Sequence, residues 1–301
     1  MNMTKMEYAN KVAEVLKELG VDVNSVDTVK KTNDTVFTGI RVNTGTNTMP
    51  MYYIDASYEN DLAPEIAARN IKKLFDEHAD EMPVFNVDDI FSDFEAVKSR
   101  IIACVVNGEK NNDNDFVKVK LGNLAAIFKV VIPCGAETGT VTISKNFLDS
   151  WGVTAEDIIE AAKANVPNFS CRSMFEVLLG FGYPEEMFGS DDDTPGGMPP
   201  MYVITTDNQT YGASALFYND IIKDFAEKKN SDVVIIPSSI HELIVIPVDD
   251  STDSESILAI VKEVNQTQVT AEEFLSDDVY FYTRSKGYIT SYVLGEDVKV
   301  A

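Results

Sequence analysis

Apolar positions along this chain recur in two rhythms. At residues 4–19, Met6, Ala9, Val12, Ala13, Val15, Leu16 and Leu19 fall at helical intervals and Gly20 follows, which predicts an amphipathic helix with a glycine stop. Residues 35–42 and 50–58 read as two strands joined by Asn43-Thr44-Gly45-Thr46-Asn47. Residues 62–79 read as a second helix with Pro64 in its first turn, where the missing N–H is not needed. His78 falls near the end of that helix, where a histidine suits the C-terminal dipole, and is read as structural. A related order follows. Residues 93–106 carry Phe94, Val97, Ile101, Ile102 and Val105 at helical spacing, 116–120 reads as a short strand, Leu124 to Pro133 is an apolar run broken only by Lys129, and Thr138 to Ser144 alternates as a strand. Helical segments are expected at 145–150, 154–165 and 171–180, the first ending at Gly152 and the second capped by Thr154. The last block predicts strand 201–206, helix 213–229, strands 232–237 and 241–248, and helix 254–266, with Ile257, Ile260, Val261 and Val264 as its inner stripe. Short strands near 279–283 and 287–293 close the pattern.

Strand pairs joined by short turns pair antiparallel, so the expected class is α+β, with strand pairs packed against helices. The order helix–strand–strand–helix recurs about three times without a shared residue signature, so no sequence repeat is read. The expected organisation is an N-terminal α+β region over 1–184, in two parts of about 1–90 and 91–184, and a C-terminal α+β domain over 201–301. Between them lies an acidic Pro/Gly-rich loop or linker over 185–200, holding Asp191-Asp192-Asp193 and Gly196-Gly197.

Charge changes this picture more than composition does. Of 301 residues, 49 are Asp or Glu and 25 are Lys or Arg, a net charge of −24. Small domains usually carry a net charge of about 2–8 in magnitude. Such an excess repels the phosphates of nucleic acid and anionic lipid and favours basic partners or cations. No direct nucleic-acid binding is expected. A basic protein partner is, and a nucleic-acid-binding protein would present such a surface. The three cysteines, Cys104, Cys134 and Cys171, form no C-x-x-C and sit in apolar context, as free thiols do in a reducing cytoplasm. The first dozen residues hold no apolar leader core and no run reaches about 18 apolar residues, so a cytoplasmic chain with no membrane segment is expected. The Asn-x-Ser/Thr matches at Asn33, Asn168, Asn208 and Asn265 then carry no glycosylation meaning.

Candidate chemistry concentrates at Ser238, Ser239, His241 and Glu242. A serine becomes a nucleophile when a base takes its proton and donors hold the oxyanion, so a hydrolase using Ser238 or Ser239 with His241 is one reading. Against it, no G-x-S-x-G elbow is present. Val245 stands where H-E-x-x-H needs a second histidine, and His78 is the only other imidazole, so no metal site is expected. The plainer reading is a corner, in which Pro237 ends a strand and the hydroxyls satisfy turn backbone. Asn111 to Asp115 alternates oxygen ligands, but Phe116 replaces the required glycine and Gly122 the required glutamate of a calcium loop, which leaves a polar turn. Asp191–Asp193 carries a second alternative, weak cation binding. No phosphate-binding glycine motif occurs, and no cofactor is expected. The pairs Asp88-Asp89, Glu185-Glu186, Asp249-Asp250, Glu272-Glu273 and Asp277-Asp278 are read as acids of turns and helix starts, serving solvation and dipoles.

Several segments resemble a family of bacterial proteins of unknown function, common in clostridial gut anaerobes. They are M-Y-V-I-T-T-D-N at 201–208, Y-G-A-S-A-L-F-Y at 211–218, V-I-I-P-S-S-I-H-E-L-I-V-I-P at 234–247, V-K-E-V-N at 261–265 and L-S-D-D-V-Y at 275–280. Weaker echoes are V-V-N-G-E-K-N-N at 105–112, L-A-A-I-F at 124–128 and W-G-V-T at 151–154. The resemblance implies no activity, cofactor or catalytic residue. The leading functional expectation is therefore a non-enzymatic binding or regulatory protein whose acidic surface engages a basic partner.

Overall fold

A computed structural model describes residues 3–78, 91–112, 115–134, 137–183, 200–249, 252, 254–267, 269–292 and 297–298. The chain forms two compact units, one of Met1–Ser92 with Ile132–Gly139, the other of Asp93–Val131 with Thr140–Ala301. The loop or linker expected over 185–200 lies outside the described residues, apart from Pro200.

In the first unit, helix α1 (Lys5–Glu18) starts at a reciprocal cap: the Thr4 hydroxyl accepts the Glu7 N–H, and the Glu7 carboxylate accepts the Thr4 N–H at 2.7 Å. Strands β1 (Val23–Lys30), β2 (Val36–Val42) and β3 (Met51–Tyr53) form an antiparallel sheet in that order. Helices α2 (Asp55–Glu59) and α3 (Pro64–His78) follow, with His78 in the last turn of α3. Tyr8, Val12 and Leu16 of α1 share one core with Ile40 and Val42 of β2, Ile54, and Ala67, Ala68 and Ile71 of α3. Asp55 ties these elements together, accepting the Thr38 N–H at 2.9 Å and the Lys5 ammonium at 2.7 Å. The hydrogen bond to Asp55 raises the Lys5 pKa. Two expectations need correction. The strand read over 50–58 stops at Tyr53, and α2 takes the rest. Strand β1 was not foreseen: Val23, Val26 and Val29 do not alternate, and a register shift between Val23 and Ser25 breaks the period further.

The second unit begins with the short helix α4 (Phe94–Val97) and strand β4 (Ile101–Asn107). The helix expected over 93–106 is thus a single turn. Ile101 and Ala103 to Val106 are buried, so both faces of β4 are covered, and a run buried on both faces does not reveal its period. Strands β5 (Lys118–Leu121), β6 (Leu124–Cys134) and β7 (Glu137–Thr142) complete a four-stranded sheet in which β4 and β5 flank one stretch of β6 and β7 also pairs with β6. Helices α5 (Lys145–Trp151) and α6 (Ala155–Ala164) follow. Gly152 ends α5 in the left-handed region, and Thr154 caps α6.

A seven-stranded antiparallel sheet makes up the rest. Its elements in chain order are β8 (Phe169–Ser173), α7 (Met174–Gly180), β9 (Tyr202–Thr206), α8 (Ala215–Tyr218), α9 (Asp220–Lys229), β10 (Val233–Ser239), β11 (Glu242–Pro247), α10 (Ser254–Thr267), β12 (Tyr280–Thr283), β13 (Tyr288–Ser291) and β14 (Asp297–Val298). The spatial order is β14-β13-β12-β10-β11-β9-β8. Residues 171–173, expected as helix, belong to β8, and α7 starts only after the Ser173 cap. The helix read over 213–229 breaks at Asn219, which sits at φ 45 between α8 and α9. Helix α10 buries Ile257 and Val261 against Val234, Ile246 and Val279. Ile260, expected on that inner stripe, is 49 % exposed, and the side chain of Val264 lies outside the described set. The class is α+β, as expected.

Candidate functional site

Strands β10 and β11 are joined by a two-residue turn, Ile240-His241, with Ser239 opposite Glu242. The register shifts between Ile236 and Ser239, around Pro237, which has no N–H to give to a ladder. The candidate residues are neighbours here, but their side chains go to different partners. The Ser239 hydroxyl accepts the backbone N–H of His241 at 3.0 Å, and the Ser238 hydroxyl donates to Glu242 Oε1 at 3.3 Å. The His241 ring turns the other way. Its Nδ1 accepts the Tyr211 N–H at 3.4 Å, its Nε2 lies 3.8 Å from Glu273 Oε1, and its plane stacks on the Tyr211 ring. Both serine hydroxyls are thus spent on the turn, and both imidazole nitrogens face groups that are not serines.

This arrangement secures the turn at Tyr211-Gly212. Tyr211 lies at φ 56, a left-handed conformation that costs a non-glycine residue about 1–2 kcal/mol. The His241 carbonyl accepts the Gly212 N–H at 3.0 Å and the Thr205 hydroxyl at 2.8 Å. A Cβ on Gly212 would come within 2.3 Å of that carbonyl oxygen. The Tyr211 hydroxyl meets Thr140 Oγ1 at 3.2 Å, and the Lys129 ammonium sits 5.3 Å from the ring centroid. The segments Y-G-A-S-A and P-S-S-I-H-E, which place Tyr211 and His241 thirty residues apart, are therefore two halves of one joint.

A second convergence was not foreseen. Asn123, in the turn between β5 and β6, donates to the Ser276 hydroxyl at 2.8 Å and accepts from the Tyr280 hydroxyl. Asn107, at the end of β4, donates to the Leu275 carbonyl at 2.7 Å, and Asn111 donates back to the Asn107 carbonyl at 2.8 Å. Asp278 accepts the Val279 N–H at 2.8 Å and the Ser291 hydroxyl. Asp278 was expected to be a solvated turn acid, yet it is 3 % exposed, and Asn111, read as part of a polar turn, is fully buried. Burial pushes the Tyr280 phenol far up, so it stays a donor at any ordinary pH. This polar seam bridges the two sheets of the unit. The signal for it lay in the segments V-V-N-G-E-K-N-N and L-S-D-D-V-Y, whose polar residues follow the apolar run of β4 and immediately precede β12.

A family model for DUF5688, a family of unknown function, matches residues 5–284. The chain belongs to DUF5688. No curated protein and no solved structure matches it. The DUF5688 match spans both the Tyr211–His241 joint and the Asn107–Asp278 seam. Elsewhere in this DUF5688 chain, Cys104 and Cys171 are free thiols, each pushed up to about 11 by burial, and so poor nucleophiles at neutral pH. The side chain of Cys134 lies outside the described set, as do Asp88-Asp89, Asp113-Asn114, Glu185-Glu186, Asp191–Asp193 and Asp250. Among the described residues, no group of three or more His, Cys, Asp or Glu side chains is placed to hold a metal ion, and no helix is long and apolar enough to cross a membrane.

Proposed function

We propose that this DUF5688 member is a non-catalytic, cytoplasmic bacterial binding protein that engages a basic protein partner through its anionic exterior. The observation that carries the reading is the excess of 49 acidic over 25 basic residues. Lysines of the described residues are repeatedly held by acids: Lys5–Asp55, Lys30–Asp34, Lys72–Asp76, Lys98–Glu95 and Lys145–Asp115 are ion pairs. Part of the positive charge is thus matched locally, and the surplus of the chain is acidic. Much of that surplus falls in the sequence at Asp80-Glu81, Asp88-Asp89, Glu185-Glu186 and Asp191–Asp193. The stretch 185–200, read as an acidic loop or linker between an N-terminal region and a C-terminal domain, holds its densest cluster. The Ser238, Ser239 and His241 side chains, committed to turn and joint, fit a scaffold role.

The test is affinity capture from the native host at low ionic strength, with the wild type beside a chain carrying Glu185→Gln, Glu186→Gln, Asp191→Asn, Asp192→Asn and Asp193→Asn. A basic partner is expected, released by about 0.5 M NaCl, where the screening length falls to about 4 Å, and recovered at least several-fold less by the neutralised chain. A partner held equally in high salt and by both chains would defeat the reading.

A further inference from the structure

Strand β8 ends the seven-stranded sheet, with β9 on one side and no described strand on the other. The Asp207 N–H donates to the Asn168 carbonyl at 3.1 Å and the Met174 N–H to the Met201 carbonyl at 2.8 Å. In this register, with Phe169 opposite Thr206 and Cys171 opposite Ile204, the even-numbered residues of β8 bond to β9. The N–H and C=O groups of Phe169 and Cys171, and the C=O of Ser173, therefore point away from the sheet. The Ser173 N–H is already given to Glu176 at 2.8 Å.

Exposed edges are normally guarded by charge, proline, a bulge or brevity. Other end strands follow this rule: β1 has the Val23/Ser25 irregularity and ends in Lys30, β5 carries Lys118 and Lys120, and β14 is two residues long. The end strand β4 is covered instead, its Ala103 N–H given to the Tyr218 hydroxyl at 3.2 Å and its Ile101 carbonyl accepting from Asn165 at 3.0 Å. Strand β8, Phe-Ser-Cys-Arg-Ser, has no proline or bulge, and its single charge is the exposed Arg172. A groove of about 530 Å³ runs between it and α9, lined by Cys171, Tyr202 and Phe225 and by charges of both signs, Glu176 and Asp224 against Lys228. In a chain of net charge −24, this edge offers a copy of itself balanced charge, as a self-complementary two-fold contact requires.

We propose that β8 pairs antiparallel with β8 of a second copy, about a two-fold axis at Cys171, so that two seven-stranded sheets join edge to edge. The Phe169 and Cys171 N–H groups then find acceptors on the partner's Ser173 and Cys171 carbonyls. Ser170 faces the partner's Arg172 in a closely spaced pair, with Cα atoms about 4.5 Å apart. A two-fold centred on Arg172 would instead set like charges opposite each other.

Sedimentation velocity across about 1–100 µM should show a concentration-dependent dimer. That dimer should persist in about 0.5 M NaCl, which separates it from the salt-sensitive partner binding above. Cys171→Pro removes an outward N–H and no ladder bond to β9, and should give a folded monomer. In a Cys171→Ala background, separately prepared Ser170→Cys and Arg172→Cys chains should form a disulfide-linked dimer when mixed and oxidised, and neither should do so alone, because about 4.5 Å is within disulfide reach. A chain monomeric at the highest concentration, a dimer unchanged in folded Cys171→Pro, or cross-linking as strong in either protein alone would overturn the proposal. The mixed cross-link decides the matter if the proline variant does not fold.

Discussion

Asp278 and Gly212 show how much can rest on one side chain, or on the lack of one. Asp278 is held by the Ser291 hydroxyl and the Val279 N–H in a site closed to water. Asp278→Ala strands both donors, and a buried donor without an acceptor costs about 1–3 kcal/mol, so a loss of about 2–4 kcal/mol is expected by urea unfolding, with Asp278→Asn losing less. At Gly212 the problem is space: a Cβ would overlap the His241 carbonyl at 2.3 Å and the Thr205 Cα at 2.6 Å, both backbone atoms. Gly212→Ala should cost about 1–3 kcal/mol or more in the same experiment, since backbone must move. A cost below about 0.5 kcal/mol would mean the Tyr211 turn is not fixed as described. These residues also mark what the sequence could reveal. His241 stood out because imidazoles are scarce, but its working neighbours, Tyr211 and Glu273, lie thirty or more residues away. The adjacent serines drew attention through proximity, although Ser239 is held by the backbone of the two-residue turn and Ser238 by the Glu242 carboxylate. Asp278 looked like any other acid of a turn, because burial has no local signature.

Elements were legible where one face meets water and illegible where none does. Helices α1 and α6 have both a polar face and a reciprocal cap, Thr4 with Glu7 and Thr154 with Asp157, and their starts fall where the sequence places them. Strand β4 is buried on both faces and was misread as helix; β1 lacks strict alternation and was missed. The caps lead to a test with a definite sign. Hydrogen bonds from the threonine backbone and hydroxyl lower the Glu7 and Asp157 pKa values in the folded chain. Their contribution is therefore full above the unfolded values of about 4, and is lost as pH falls through the lower folded values. Amide exchange in the first turns of α1 and α6 should accelerate on acidification across that range, and Thr154→Ala, at a cost of about 1 kcal/mol, should remove only the smaller, hydroxyl-dependent part of the pH response in α6, because the Thr154 N–H still donates to Asp157. The break between α8 and α9 gives a second test. Asn219 sits at φ 45, where asparagine is tolerated and alanine is not. Asn219→Gly should be neutral or nearly so, whereas Asn219→Ala should cost about 1–2 kcal/mol in thermal unfolding. Equal melting of the two would show that the chain does not need a left-handed residue there.

At the scale of the whole molecule, repulsion among acids outweighs every other charge effect. A net charge of −24 on 301 residues opposes compaction, and each added charge feels the rest. The ion pairs that salt would weaken are mostly exposed; in Lys30–Asp34, for example, both side chains are 52 % exposed. Such pairs are worth about 0–1 kcal/mol, and screening them loses little. Screening the long-range repulsion gains more, because its range exceeds the screening length once salt passes about 0.1 M, about 10 Å. The melting temperature should therefore rise between about 10 mM and 300 mM NaCl and then flatten, by about 2–4 °C for each kcal/mol of repulsion relieved. Osmolytes, which act on burial rather than charge, would raise it without that plateau. Neutralising Asp191–Asp193 should reproduce part of the gain at low salt and shrink the remaining salt response. A melting temperature that falls with NaCl would mean that attraction between paired charges outweighs repulsion among the excess acids. The excess acids would then be spread too thinly to repel one another strongly, and would offer no dense anionic patch to a basic partner.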